Sequence, residues 1–139
     1  MKLKQLKERT PELKSFEKKE WKIANEQNFG HDFGAKKSYL LVAEDDGKIV
    51  GLVEFNTTRG VCHISNLLVS NSSRRQGIGK KLLTRAEKKA KQLKVHKIFL
   101  NTGKDWESVK FYNSMGYQVE AVSKNHYGHH DFVQFVKFL

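Results

Sequence analysis

The chain has 139 residues, 38% hydrophobic and 29% charged, with 26 Lys/Arg against 15 Asp/Glu and a formal net charge of +11. That length suits one domain over residues 1–139, large enough to bury a core without staples, and the composition is ordinary for a soluble globular protein. No apolar stretch approaches the roughly 18–20 residues of a membrane span. Met1–Lys7 lacks the apolar centre of a signal peptide, and the lone Cys62 excludes an internal disulfide framework, so the expected compartment is the reducing cytoplasm.

In chain order, residues 2–6 alternate and predict a short strand. Thr10 is an N-cap with Pro11 at the first helical position, which opens a helix to about Asn28. Residues 30–37 read as a loop or a broken helix. Strand 38–44 turns at Asp45-Asp46-Gly47 into strand 48–57, a hairpin signal. A second turn at Thr58-Arg59-Gly60 leads into strand 61–69. Ile78, Leu82, Ala86, Ala90 and Leu93 fall at spacings of four, four, four and three, which marks one buried face of a helix over 77–93. A buried strand 97–102, a helix 106–115 and strands near 117–124 and 132–139 complete the chain. The order β-α-β-β-β-α-β-α-β-β describes an α/β fold: a mixed, mostly antiparallel central sheet with helices on both faces.

The junction between strand 61–69 and the helix after it carries the main chemical signal. Arg74-Arg75-Gln76-Gly77-Ile78-Gly79 is a glycine-bearing turn that enters a helix. Such a turn gathers unpaired backbone N–H groups at the positive end of the helix dipole, which suits phosphate. Glycines there let a pyrophosphate approach the main chain closely. Residues 71–97 hold ten Lys/Arg against one acid, Glu87, so the ligand is phosphate-bearing. The P-loop pattern is absent, and a dinucleotide fingerprint fails because Leu82 stands where its third glycine belongs.

What remains is Arg-x-x-Gly-x-Gly, met by Arg74, Gly77 and Gly79. With it, the sequence resembles the GNAT superfamily of acyl-CoA-dependent N-acyltransferases. A second match is Ser108-Val109-Lys110-Phe111-Tyr112-Asn113-Ser114-Met115-Gly116-Tyr117, similar to the family's A-x-x-F-Y-x-x-x-G-F segment. The resemblance implies that strands 61–69 and 97–102 splay apart and that the acyl-CoA arm enters the gap. It implies a pyrophosphate cradle of backbone N–H groups from Gln76, Gly77, Ile78, Gly79 and Lys80, beside Arg74 and Arg75. It assigns main-chain polarisation of the thioester to Leu67, Leu68 and Val69. Ser108 replaces the family's small residue, and Asp105 stands where many members carry Asn toward the pantetheine arm. Tyr112 becomes the proton donor to the departing thiolate; the bland alternative is a core aromatic like Phe111.

The base that relieves the amine of its proton is His63, Glu54 or water. His63 lies six residues before Val69, where some members carry glutamate. Period-two alternation sets His63, Ser65, Leu67 and Val69 on one strand face, so the imidazole is expected in the cleft. A strand histidine satisfied by its neighbours is the alternative, and Glu54 is a second candidate. His126, His129 and His130 lack further metal-ligand spacing, so no metal is expected. The turn Asn125–Phe132 resembles, through Tyr127 and Asp131, the last hairpin of N-terminal acetyltransferases of the ribosomal-protein type. The expectation is therefore an N-acetyltransferase that moves acetyl from acetyl-CoA to a peptide N-terminus or a small amine, with homodimers common among its relatives. A non-catalytic CoA-binding sensor is the rival. The net charge raises nucleic acid as another partner, but no C-x-x-C, RNP-type aromatic or helix-turn-helix pattern accompanies it.

Overall fold

A computed structural model describes residues 1–139. The chain divides into two compact units, Met1–Ala35 and Lys36–Leu139. In the first, helix α1 spans Pro11–Phe29. Thr10 caps it: Leu13 N–H donates to Thr10 Oγ1 at 3.2 Å, and Pro11 sits at the first helical position, where no N–H is needed. Gly30, at φ +81°, closes it in the left-handed conformation that glycine enters without a Cβ penalty. Residues 2–6 are not a strand; they carry no regular structure, with Leu3 and Leu6 exposed. Alternation alone does not make a strand, because each strand needs a hydrogen-bonding neighbour, and this segment pairs with none.

The second unit is a six-stranded sheet with two helices. Its strands are β1 (Lys37–Asp45), β2 (Lys48–Thr58), β3 (Val61–Val69), β4 (Lys97–Gly103), β5 (Gln118–Ser123) and β6 (Phe132–Phe138). They lie in the order β1-β2-β3-β4-β6-β5. All neighbours are antiparallel except β3 and β4. That pair is parallel over Val61–His63 against Lys97–Phe99 alone. Helix α2 (Ile78–Gln92) connects the two strands, as a parallel crossover requires. Helix α3 (Ser108–Ser114) follows β4.

Both helices pack on the same sheet face. There Val53, Phe55, Cys62, Ile64, Ile98, Leu100, Val133 and Phe135 meet Leu82, Leu83, Ala86 and Ala90 of α2 and Tyr112 of α3 in one core. The apolar spacing read from the sequence is the face that α2 buries. Its other faces carry Lys80, Lys81, Arg85, Lys88 and Lys91 to solvent. Glu87, alone among these cations in being acidic, is buried. It accepts hydrogen bonds from Tyr117 Oη at 3.0 Å and Lys137 Nζ at 3.0 Å. Lys137 Nζ also donates to the Met115 carbonyl at 2.9 Å, so one cluster ties α2, the end of α3 and β6 together.

Candidate active site

The cleft begins where β3 and β4 stop pairing. Beyond His63 and Phe99 the two strands diverge, while β3 continues to pair with β2 through Val69 and β4 with β6 through Gly103. Main-chain groups of both strands that face the gap therefore have no ladder partner across it. Into this opening come the α2 entry loop from one side and α3 from the other. The result is a cavity of about 1000 Å³ lined by Leu67, Leu68 and Val69 of β3, the loop from Arg74 to Lys80, Thr102 of β4, and Ser108, Phe111 and Tyr112 of α3. A pocket of that size sits at the upper end for small-molecule sites.

The loop takes a strained path that its residues explain. Arg75 adopts φ +63° and Gly77, the N-cap of α2, φ +75°. Gly77 is thus required by the backbone. Gly79 is different: its φ is ordinary, and an added Cβ would meet Val69 Cγ2 at 3.6 Å and Phe111 Cζ at 3.7 Å, which is normal van der Waals distance. Nothing in the protein's own packing calls for glycine there, whereas a ligand lying against the main chain would. Arg75 also reaches across the opening to Glu107 at 3.8 Å, an exposed pair of small energetic weight.

The sequence-derived residues divide on inspection. Leu67, Leu68, Val69, Arg74, Arg75, Gly77, Ile78, Gly79, Lys80, Ser108 and Tyr112 all line the cavity. Gln76 and Asp105 do not; both are exposed, Asp105 in the turn before α3. His63 does not either, and the reason is a β-bulge. Asn66 pairs with Glu54 and Ile64 with Phe55, so Ser65 is an extra residue that opposes nothing. One extra residue reverses the side-chain alternation downstream. His63 therefore points to the sheet face opposite the one that carries Leu67 and Val69. Its ring stacks on Phe99 at 4.5 Å and 6°. Burial, aided by the nearby Lys36 charge, holds its pKa below the usual imidazole value. Glu54 falls outside the lining as well.

Tyr112 is buried, with its ring against Phe111, Tyr117 and Phe135. Burial pushes its hydroxyl up to about 12, so at neutral pH it stays protonated and is a hydrogen-bond donor. The same effect raises Cys62 to about 12, which makes that fully buried thiol a packing residue and not a nucleophile. Thr102 Oγ1 and Ser108 Oγ lie 2.6 Å apart in the lining, a contact that joins β4 to the first turn of α3. Trp106 was not singled out from the sequence, yet its indole lines the cavity. It lies so close over Gly103 that any Cβ there would collide with the ring. The signal was Gly103 three residues before an isolated tryptophan. No group of His, Cys, Asp and Glu that could hold a metal ion is present.

The site is thus a ligand-sized cleft between two central parallel strands that part, with a glycine loop at a helix entry on one wall. A family description, "Acetyltransferase (GNAT) domain", matches residues 6–137. The chain belongs to the GNAT acetyltransferase family. No curated protein matches it. Among solved structures, an acetyltransferase from Bacillus cereus ATCC 14579 is 27% identical with a TM-score of 0.76, covering 98% of each chain. A GNAT family acetyltransferase from Elizabethkingia anophelis, solved with acetyl-CoA bound, shares the fold at 21% identity and TM-score 0.68 over 73% of this chain and 76% of its own. An acetyltransferase from Bacillus subtilis, solved with CoA, does so at 20% identity and TM-score 0.68 over 85% and 84%.

Proposed function

We propose that this protein is an N-acetyltransferase that passes acetyl directly from acetyl-CoA to a primary amine, on a peptide N-terminus or a small molecule. The observation that carries this reading is the cavity itself: a cationic glycine loop at a helix N-terminus and a protonated tyrosine open onto the same gap between β3 and β4. Acetyl-CoA supplies an activated thioester and a pyrophosphate by which it is held.

The chain's residues divide the work. Backbone N–H groups of Gly77 to Lys80, with Arg74 and Arg75, hold the pyrophosphate at the positive end of α2. Main-chain groups of Leu67 to Val69, unpaired across the gap, hold the pantetheine arm and polarise the carbonyl. The amine nitrogen bonds to the carbonyl carbon as the carbon–sulfur bond breaks. Tyr112 gives its proton to the sulfur and recovers one, through water, from the nitrogen, so the hydroxyl is regenerated.

With His63 on the far face, the cavity lining contains one acid, Glu107, and that side chain already faces Arg75. An acceptor must then bring a neutral nitrogen with it. An α-amine, with a pKa of about 7.7–8.0, is neutral far more often at pH 7 than a lysine side chain at about 10.4. The net charge of +11 further disfavours lysine-rich tails at low salt. The test is an amine panel of dipeptides, polyamines and lysine peptides, read as free thiol released from acetyl-CoA. Thiol release that needs an amine, and is faster with α-amines, is expected. Acetyl-CoA binding with no turnover on any amine would instead favour the sensor reading. Exclusive acetylation of lysine side chains would overturn the acceptor preference.

A further inference from the structure

Helix α2 has a second cavity on its other flank, and no part of the acetyl-transfer reading uses it. Residues 85–92 of α2 run beside the free edge of the sheet, where β1 is the outermost strand. Between them lies a cavity of about 380 Å³, within the range of small-ligand sites. Its floor is Tyr39, Leu41 and Phe55, and its rim is Arg85, Lys88 and Lys89, which fall on one helix flank by their i, i+3 and i+4 spacing. It shares no lining residue with the cleft between β3 and β4.

The chemistry of this cavity is one-sided. No acidic side chain lines it, and none of the protein's ion pairs involves Arg85, Lys88 or Lys89. Three cations thus sit over an apolar floor with no internal counter-charge, so an incoming anion would meet donors that no protein acid already holds. The floor adds a shape requirement. Tyr39 stacks one face on Phe55, at 5.1 Å between centroids and 18° between planes. Lys89 Nζ stands 5.5 Å from the Tyr39 ring centre, a weak contact that the side chain can leave. A flat ring that slid over Tyr39 would extend the aromatic stack and displace Lys89 onto the ligand's own charge.

From this we infer that the groove between α2 and β1 is a second ligand site, for a planar aromatic anion that carries a carboxylate or a phosphate. Arg85 and Lys88 bind the anionic group, Lys89 closes over it, and Tyr39 stacks on the ring. Aliphatic anions lack the stacking partner and bind weakly. Neutral aromatics lack the charge and do the same.

Two probes separate the sources of such a ligand: 2-naphthoate for an aromatic carboxylate and AMP for a nucleotide. Each is titrated by calorimetry into the full chain, alone and with saturating CoA. One-site binding by at least one probe, unchanged by CoA, is expected, and which probe binds identifies the anionic group. Arg85→Ala and Tyr39→Leu should each weaken it at least tenfold. Arg85 is exposed and Tyr39 half-buried against Phe55, so the melting temperature of each variant is measured beside its affinity to verify that it folds. Gly79→Asp, which acts on the other cleft, should leave the affinity unaltered. Failure of both probes to saturate, persistence of binding in Arg85→Ala and Tyr39→Leu, or its loss in Gly79→Asp would overturn the assignment. None of these results depends on whether the protein transfers acetyl groups.

Discussion

Gly79→Asp separates what the fold needs from what the ligand needs. Its Cβ would stand 3.6 Å from Val69 and 3.7 Å from Phe111, with no left-handed backbone to strain, so the protein accommodates it. The position is the second residue of α2, where a carboxylate interacts favourably with the helix dipole by about 0.3–1 kcal/mol. The free variant should therefore melt at or slightly above the wild-type temperature. Toward a pyrophosphate the same charge is repulsive: two unit charges about 5 Å apart at an effective dielectric of about 20 cost roughly 3 kcal/mol, or about two orders of magnitude in Kd. At acetyl-CoA concentrations about 100 times the wild-type Kd, binding stabilises the native state by about 2.7 kcal/mol, and a hundredfold loss of affinity leaves about 0.4 kcal/mol. For a domain of this size that is a rise of roughly 10 °C in wild type against under about 2 °C in the variant. Differential scanning fluorimetry with and without acetyl-CoA reads both quantities. A variant that loses the ligand shift only because it has lost its fold, or one that keeps the full shift, would refute the reasoning.

Three further outcomes follow from the same geometry. Tyr112→Phe should lower kcat by roughly 10²–10⁴ with little change in acetyl-CoA affinity, since the ring and its packing are kept; steady-state kinetics that show near-wild-type turnover would leave water as the proton donor. Lys137→Met should destabilise the fold by about 2–3 kcal/mol, because Glu87 and the Met115 carbonyl both lose a charged donor, and urea unfolding measures it. His63 protonates less readily in the folded than in the unfolded chain, whose imidazole titrates near 6.5, so stability is complete above about pH 6.5 and declines as pH falls toward the lowered folded value. His63→Phe, which keeps the stack on Phe99, should remove that part of the slope between pH 5 and 8 and leave the pH profile of kcat/KM unchanged. A flattened kinetic profile would return His63 to the chemistry.

The legible and illegible parts of this protein differ in physical kind. Helix α1 announced itself through a local cap, Thr10-Pro11, and α2 through an uninterrupted apolar period, both of which depend only on neighbours in sequence. The β1–β2 hairpin was equally plain from Asp45-Asp46-Gly47. The family motifs picked out the loop and Tyr112, which line the cavity, because such motifs are written in backbone conformation and one helix face. The bulge at Ser65 could not be seen, since a register shift is a property of the β2–β3 pair, and it moved His63 to the opposite face. Residues 2–6 failed for a related reason: the pattern fits a strand, but the segment pairs with none. Glu87 could have been flagged as the single acid among ten cations, although its partners, 30 and 50 residues away, appear only when the chain is folded.

The most direct test of acetyl transfer by this cleft follows the acetyl group itself. Acetyl-CoA labelled in its acetyl carbons is incubated with the protein and a dipeptide acceptor, and both small molecules and protein are analysed by mass spectrometry through a single turnover. Direct transfer predicts label on the dipeptide's α-nitrogen, one thiol released per amide formed, and no label on the protein at any time. Label on Cys62 or another side chain before product appears, or thiol release without an amide, would contradict it.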